Sequence, residues 1–270
     1  MNDRVTVQIA DGVADVRLVR TDKMNALDDA MFTALVETGE RLKTAAGVRA
    51  VVLSGEGRAF CAGLDMGSFA AMASGERSNP DATSTLLTQK RTEGGANRAQ
   101  QACMVWREIP VPVIAAVHGV AFGGGFQLAL GADLRFVAAD VKLAVLEIKW
   151  GLIPDMAGMV LMRGLVRDDV ARELTYTGRI FGGEEAVAMG LATRVCADPR
   201  ADALALAAEI AGKNPHAIRA GKRLLNLMAE GDQHAILLAE SKEQGALIGS
   251  PNQVEAVMAN LQKRNPQFAD

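Results

Sequence analysis

HGVAFGGGFQLALGAD, residues 118–133, decides how this chain is read. A strand runs into three consecutive glycines, and FQLALGAD then continues with helical character. Glycine lets a ligand approach the backbone closely and permits dihedral angles closed to other residues. A helix that starts beyond such glycines aims free N–H groups and the positive end of its dipole at whatever lies before it. That is the pattern of an anion or oxyanion site. Close strand–helix packing without a ligand would use the same glycines. The G-x-G-x-x-G spacing of dinucleotide-binding turns is absent.

Working outward, VPVIAAV (111–117) reads as a strand buried on both faces, as does Ala50 to Leu53. The second of these leads into GEGRAFCAGLDM (55–66), by itself an ordinary strand-end loop rich in small residues. At the start, Val5, Val7 and Ile9 alternate, Asp11-Gly12 is a turn dipeptide, and Ala14, Val16 and Leu18 alternate back, which predicts a hairpin. Asp28 is placed to cap a helix in which Met31, Leu35, Thr38 and Leu42 recur at helical spacing. Two short strands are expected from Leu134 to Val145, and helices near 156–165, 168–176 and 183–190. Residues 67–95 lack periodicity and read as a lid or binding loop. Past residue 198 only helices are expected, near 200–212, 215–229, 233–248 and 251–263. The predicted organisation is therefore a core of residues 1–198 and a helical region of 199–270.

Composition narrows the function. Hydrophobic residues make up 49% of the 270, enough for a sizeable core, and aromatics only 4%, too few for base-stacking platforms. Net charge is −3 with both signs interspersed, so no nucleic-acid footprint appears. Cys61, Cys103 and Cys196, like His118, His216 and His234, are scattered without metal-ligand spacing. No apolar run is long enough to span a membrane. MNDRVTVQIA has no signal-peptide pattern. A cytoplasmic, metal-free protein is the expectation.

Taken together, RAFCAGLD followed about sixty residues later by PVIAAVHGVAFGGG resembles the crotonase superfamily, the enoyl-CoA hydratases and isomerases. KMNAL (23–27), ELTYTGR–EEAVAMGL (173–191) and RNPQF (264–268) extend the resemblance nearly end to end. It implies an α/β spiral of ββα units with a C-terminal helical trimerisation region. It also implies an acyl-CoA thioester as substrate, no separate cofactor, and a homotrimer or dimer of trimers. The backbone N–H groups of Leu64 and Gly124 map onto the family's oxyanion hole. Lys23, Ala62, Gly123 and Gln127 fall at its CoA and substrate contacts, the carbonyl of Ala62 matching the contact with adenine.

The hydratases hold water between two glutamates, and their positions here are Gln127 and Glu147. An amide cannot exchange a proton at accessible pH. Asp155, eight residues past Glu147, gives a Glu–Asp spacing that resembles the dienoyl-CoA isomerases, although those often carry a third acid where Gln127 stands. Glu147 and Asp155 are the expected catalytic pair. Asp155, between Pro154 and MAGMVLM, is equally well placed as a helix N-cap. A hydratase relying on Glu147 alone, and an acyl-CoA-binding homologue without turnover, are the alternatives. A Clp-type protease is disfavoured because no serine lies in or just after the glycine triplet. His118 reads as a satisfied structural histidine and Cys61 as packing.

Overall fold

The computed structural model describes residues 3–68, 90–229 and 231–270. Most of the loop expected at 67–95 lies outside them. The hairpin forms as read: β1 (Val5–Ala10) pairs antiparallel with β2 (Val13–Leu18), with Val5 opposite Leu18. Asp11 and Gly12, at φ 50° and 80°, make the turn. Two residues with positive φ match the twist of the strands they join. The apolar runs become β3 (Ala50–Gly55) and β4 (Val113–Val117), every residue buried.

The strands β1-β2-β3-β4-β6-β8 form one sheet, with β6 at Leu134–Ala138 and β8 at Arg194–Cys196. Beyond the hairpin all its pairings are parallel. The strand expected to run into the glycines is broken at His118-Gly119. Gly119 turns at φ 62°, and a Cβ there would overlap the carbonyl of Arg58. The chain thereby leaves the large sheet, and β5 (Val120–Phe122) pairs with β7 (Lys142–Ala144) in a second, smaller layer. Repetition of strand, layer change and helix makes the spiral. The strand β8 was not anticipated, because three residues are too few to show a period.

Helix α1 (Asp29–Lys43) is capped by Asp28, whose carboxylate accepts from Met31 N at 2.8 Å. It crosses α2 (Arg98–Glu108) at Gly39, where any Cβ would overlap Val105. The glycine helix α3 (Gly124–Leu130) is wholly buried. Next come α4 (Gly158–Met162), α5 (Asp168–Thr177) and α6 (Gly183–Met189). The terminal helices are α7 (Pro199–Ala211), α8 (Pro215–Met228), α9 (Gln233–Leu247) and α10 (Pro251–Gln262).

The boundary expected at 198/199 separates strand-bearing from all-helical chain, but it does not separate the packing. Ala203, Ala207 and Ala211 of α7 bury against Val13, Val52, Ile114 and Phe136 on the outer face of the sheet. Lys222 of α8 is also inside, its ammonium 2.7 Å from Asp133 Oδ2 and 2.9 Å from the carbonyl of Val111. By contrast α9 buries no residue. No helix among the described residues is long and apolar enough to cross a membrane.

Candidate active site

The loop after β3 is hydrogen-bonded on both sides. Toward β5, Cys61 N donates to Val120 O at 3.1 Å and Phe122 N to Cys61 O at 3.2 Å. Toward the 23–27 turn, Ala62 N donates to Met24 O at 2.9 Å, Leu27 N to Gly63 O at 2.8 Å and Asp65 N to Leu27 O at 3.0 Å. This pattern skips Leu64, whose N–H meets no acceptor among the described residues. Gly124 N, the first of α3, is likewise unpaired among them, as the start of a helix requires. The two loops touch. At Gly63, where φ is 89°, a Cβ would sit 2.5 Å from Phe122 O and 3.8 Å from Gly124 N.

Each glycine of the triplet has its own neighbour. A Cβ on Gly123 would stand 3.2 Å from Glu147 Oε1, and one on Gly124 would press Met156 Sδ at 2.7 Å and Leu27 Cδ1 at 2.9 Å. On Gly125 it would overlap the carbonyl of Cys61. Glu147 thus lies against the residue that precedes the free Gly124 N–H.

Glu147 opens a single 3-10 turn, Glu147–Trp150, and is half-buried. Its Oε1 accepts from Gln127 Nε2 at 2.7 Å, while its Oε2 is buried with no partner among the described residues. Burial raises its pKa and the charge of Asp155 adds to the rise, while the Gln127 bond and nearby backbone N–H groups oppose it. The charge of Asp155 thus reaches Glu147. Asp155 is open to solvent as a residue, yet desolvation of its carboxyl also raises its pKa. It does not cap α4. The cap position is Ala157, at φ 71°, and its side chain makes no capping bond.

Gln127, expected among the substrate contacts, bonds in the structure to three protein groups. The residue is buried, its Oε1 accepting from Met156 N at 2.9 Å and Gly158 N at 2.8 Å, its Nε2 donating to Glu147. The amide is engaged by protein on both sides. Lys23 is exposed on the Thr21–Lys23 turn and forms no ion pair among the described residues. Arg58, which the sequence reading passed over, is also exposed and unpaired among them, and Gly57 beside it packs on Thr21. The carbonyl of Ala62 accepts no bond from the described residues.

Two supports of the loop were also missed. Asn25, at φ 56°, spends its side-chain amide on the carbonyls of Glu56 and Ala59, at 3.0 and 2.8 Å. Asp65 receives Arg20 Nη1 at 2.6 Å and Gly67 N at 2.8 Å, so it anchors the residue after Leu64. Asn and Asp in loops signal such local bonding, though their distant partners cannot be read in one dimension. Cys61 is sealed: its thiol donates to Asn25 O at 3.1 Å, and burial pushes its pKa up to about 12. A thiol so protonated is no nucleophile. The ring of His118 bonds the carbonyl of Gly57 at 3.0 Å. Trp150 is 42% exposed, whereas Met156 is buried.

Two unpaired N–H groups on touching loops can stabilise charge forming on one carbonyl oxygen, and a protonatable carboxyl beside them can move the proton that creates it. Known proteins share this fold. Residues 8–270 match the family described as Enoyl-CoA hydratase/isomerase. A probable enoyl-CoA hydratase of Bacillus subtilis (strain 168) is 34% identical over 257 residues, 94% of either chain. The mitochondrial Delta(3,5)-Delta(2,4)-dienoyl-CoA isomerase of Homo sapiens is 33% identical over 224 residues, 82% of this chain and 66% of that relative. A putative enoyl-CoA hydratase from Streptomyces coelicolor A3(2) superposes with a TM-score of 0.87 at 32% identity, covering 98% of this chain and 94% of the other.

Proposed function

This chain belongs to the enoyl-CoA hydratase/isomerase family, and within it we propose that it isomerises the conjugating double bonds of a dienoyl-CoA thioester. The observation that carries the reading is that the charge of Asp155 acts on the buried carboxyl of Glu147, while Gln127 is an amide bonded to Glu147 and to Met156 N. The thioester oxygen takes the N–H groups of Leu64 and Gly124. Glu147, against Gly123, removes the proton from C2 of a 3,5-dienoyl-CoA. The C2–H electron pair becomes the C2–C3 double bond, the C3–C4 pair moves to C4–C5, and the C5–C6 pair takes a proton from Asp155 at C6. The product is the 2,4-dienoyl-CoA, and the net change is one proton moved from C2 to C6. Each oxyanion donor contributes about 3 kcal/mol to such a step.

Lys23 and Arg58, two unpaired cations on adjoining turns, suit the phosphates of coenzyme A, which arrives and leaves as part of the substrate. The exposed Leu225, Met228, Leu237, Leu238, Val257 and Leu261 of the last helices suit contacts between copies in a homotrimer or dimer of trimers.

Hydration is the second reading, favoured by the names of several relatives. It asks a second group to take a proton from water, and Gln127 cannot. The test adds a 3,5-dienoyl-CoA to the enzyme and follows the ultraviolet absorbance of the conjugated product. Conversion by the wild type, lost in Asp155→Asn, is expected. No conversion by an enzyme that hydrates crotonyl-CoA would overturn the proposal.

A further inference from the structure

We propose that Gln127 is a positioning residue that makes Oε2 of Glu147 the proton-transferring oxygen and yokes the Asp155 segment to it. The inference rests on the reading of Glu147 as the base.

The amide has only one possible orientation. Its Oε1 accepts from Met156 N and Gly158 N, and backbone N–H groups can only donate. Nε2 must therefore face Glu147, where it donates to Oε1 at 2.7 Å. A proton placed on that oxygen would point at another N–H, so it goes to Oε2, which is buried and has no partner among the described residues. One oxygen is held; the other works.

The same amide shapes the neighbouring segment. The two clasped N–H groups flank Ala157, which sits at φ 71°, a conformation disfavoured for a residue with a Cβ. Gly158 has no room for a side chain, since a Cβ would come within 2.7 Å of Gln127 Oε1. Met156 directly follows Asp155, so the clasp fixes the backbone one residue beyond the second acid. A carboxylate at 127 could accept the same two N–H groups, but its other oxygen would then face Glu147 and require a shared proton. Only an amide presents an acceptor to one side and a donor to the other without titrating.

The experiment measures exchange of the C2 protons of butyryl-CoA with deuterated solvent, as a function of pH, for wild type, Gln127→Leu and Gln127→Glu. This saturated thioester can be neither hydrated nor isomerised, so exchange reads proton removal alone. In Gln127→Leu the acid inflection is expected about one pH unit higher and the plateau rate about a hundredfold lower, with KM unchanged. Gln127→Glu, close in size and able to keep the clasp on Met156 and Gly158, is expected to raise the inflection through like-charge repulsion. A Gln127→Glu profile that coincides with the wild type overturns the proposal, even if the leucine variant fails to fold. A raised KM with an unchanged plateau also overturns it, by making Gln127 a substrate contact. If the wild type exchanges no proton, the enolate reading and the proposal fall together. If it exchanges but makes no 2,4-dienoyl product, only the isomerase reading falls.

Discussion

Gly63→Ala tests whether the two loops must touch for the oxyanion site to exist. A Cβ at this position would lie 2.5 Å from the carbonyl oxygen of Phe122, a backbone atom that cannot rotate away. Ordinary carbon–oxygen contact begins above 3 Å, so the loops must part by about 0.7 Å or more. Phe122 directly precedes Gly123 and Gly124, so the displacement falls on the donor itself. Loss of one aligned donor costs about 3 kcal/mol in the transition state, which lowers kcat by roughly a hundredfold. The left-handed φ of 89° adds a stability cost of about 1 kcal/mol or more. Gly47→Ala separates the two effects, because Gly47 has φ 74° but no atom nearer its Cβ than Asp270 Oδ2 at 3.9 Å. Thermal denaturation should show both variants destabilised, Gly63→Ala more so. The rate of butyryl-CoA proton exchange, measured at saturating substrate where all three proteins are folded, should collapse only in Gly63→Ala. If that variant stays within about threefold of wild type, the argument that loop contact aligns the donors is refuted.

Three further outcomes are expected. Because Glu147 must be ionised to take a proton and its pKa is raised by burial and by Asp155, exchange should rise with pH through an inflection above the usual glutamate value, and Asp155→Asn should lower that inflection. The native state also holds this proton to higher pH than the unfolded chain does, so its contribution to stability is present below the unfolded pKa and is lost as pH rises through the folded one, which a urea titration of wild type against Glu147→Gln would read. Lys222→Met removes the ammonium that Asp133 and the carbonyls of Trp106 and Val111 surround; about 3 kcal/mol of stability should go with it, and a melting temperature unchanged within about 2 °C would contradict the assignment.

The chain announces its architecture through local rules. Strands buried on both faces read as unbroken β-branched runs, Asp11-Gly12 closes a hairpin in the positive-φ conformation it favours, and Asp28 starts α1 with its own carboxylate. The helices from 199 onward begin at Asp, Asn or Ser followed in most cases by proline, so their starts are nearly fixed by residue type. The family motifs likewise bring Leu64, Gly124 and Glu147 into view before any coordinate, because backbone donors near a ligand leave glycine and small residues behind them.

What the linear pattern could not decide is partnership. Asp155 follows a proline and precedes an apolar helix, which reads as a cap; only the fold shows the helix starting later, at Gly158, and the charge of Asp155 acting on Glu147. Gln127 reads as a lost acid, and its clasp on Met156, Gly158 and Glu147 spans up to thirty-one residues of chain. Residue type and spacing are set by bonds a few positions long, and these determined the strands, caps and glycine loops. Which oxygen is held and which is left to work depends on groups that meet only when the layers close, and the tertiary structure alone decided that.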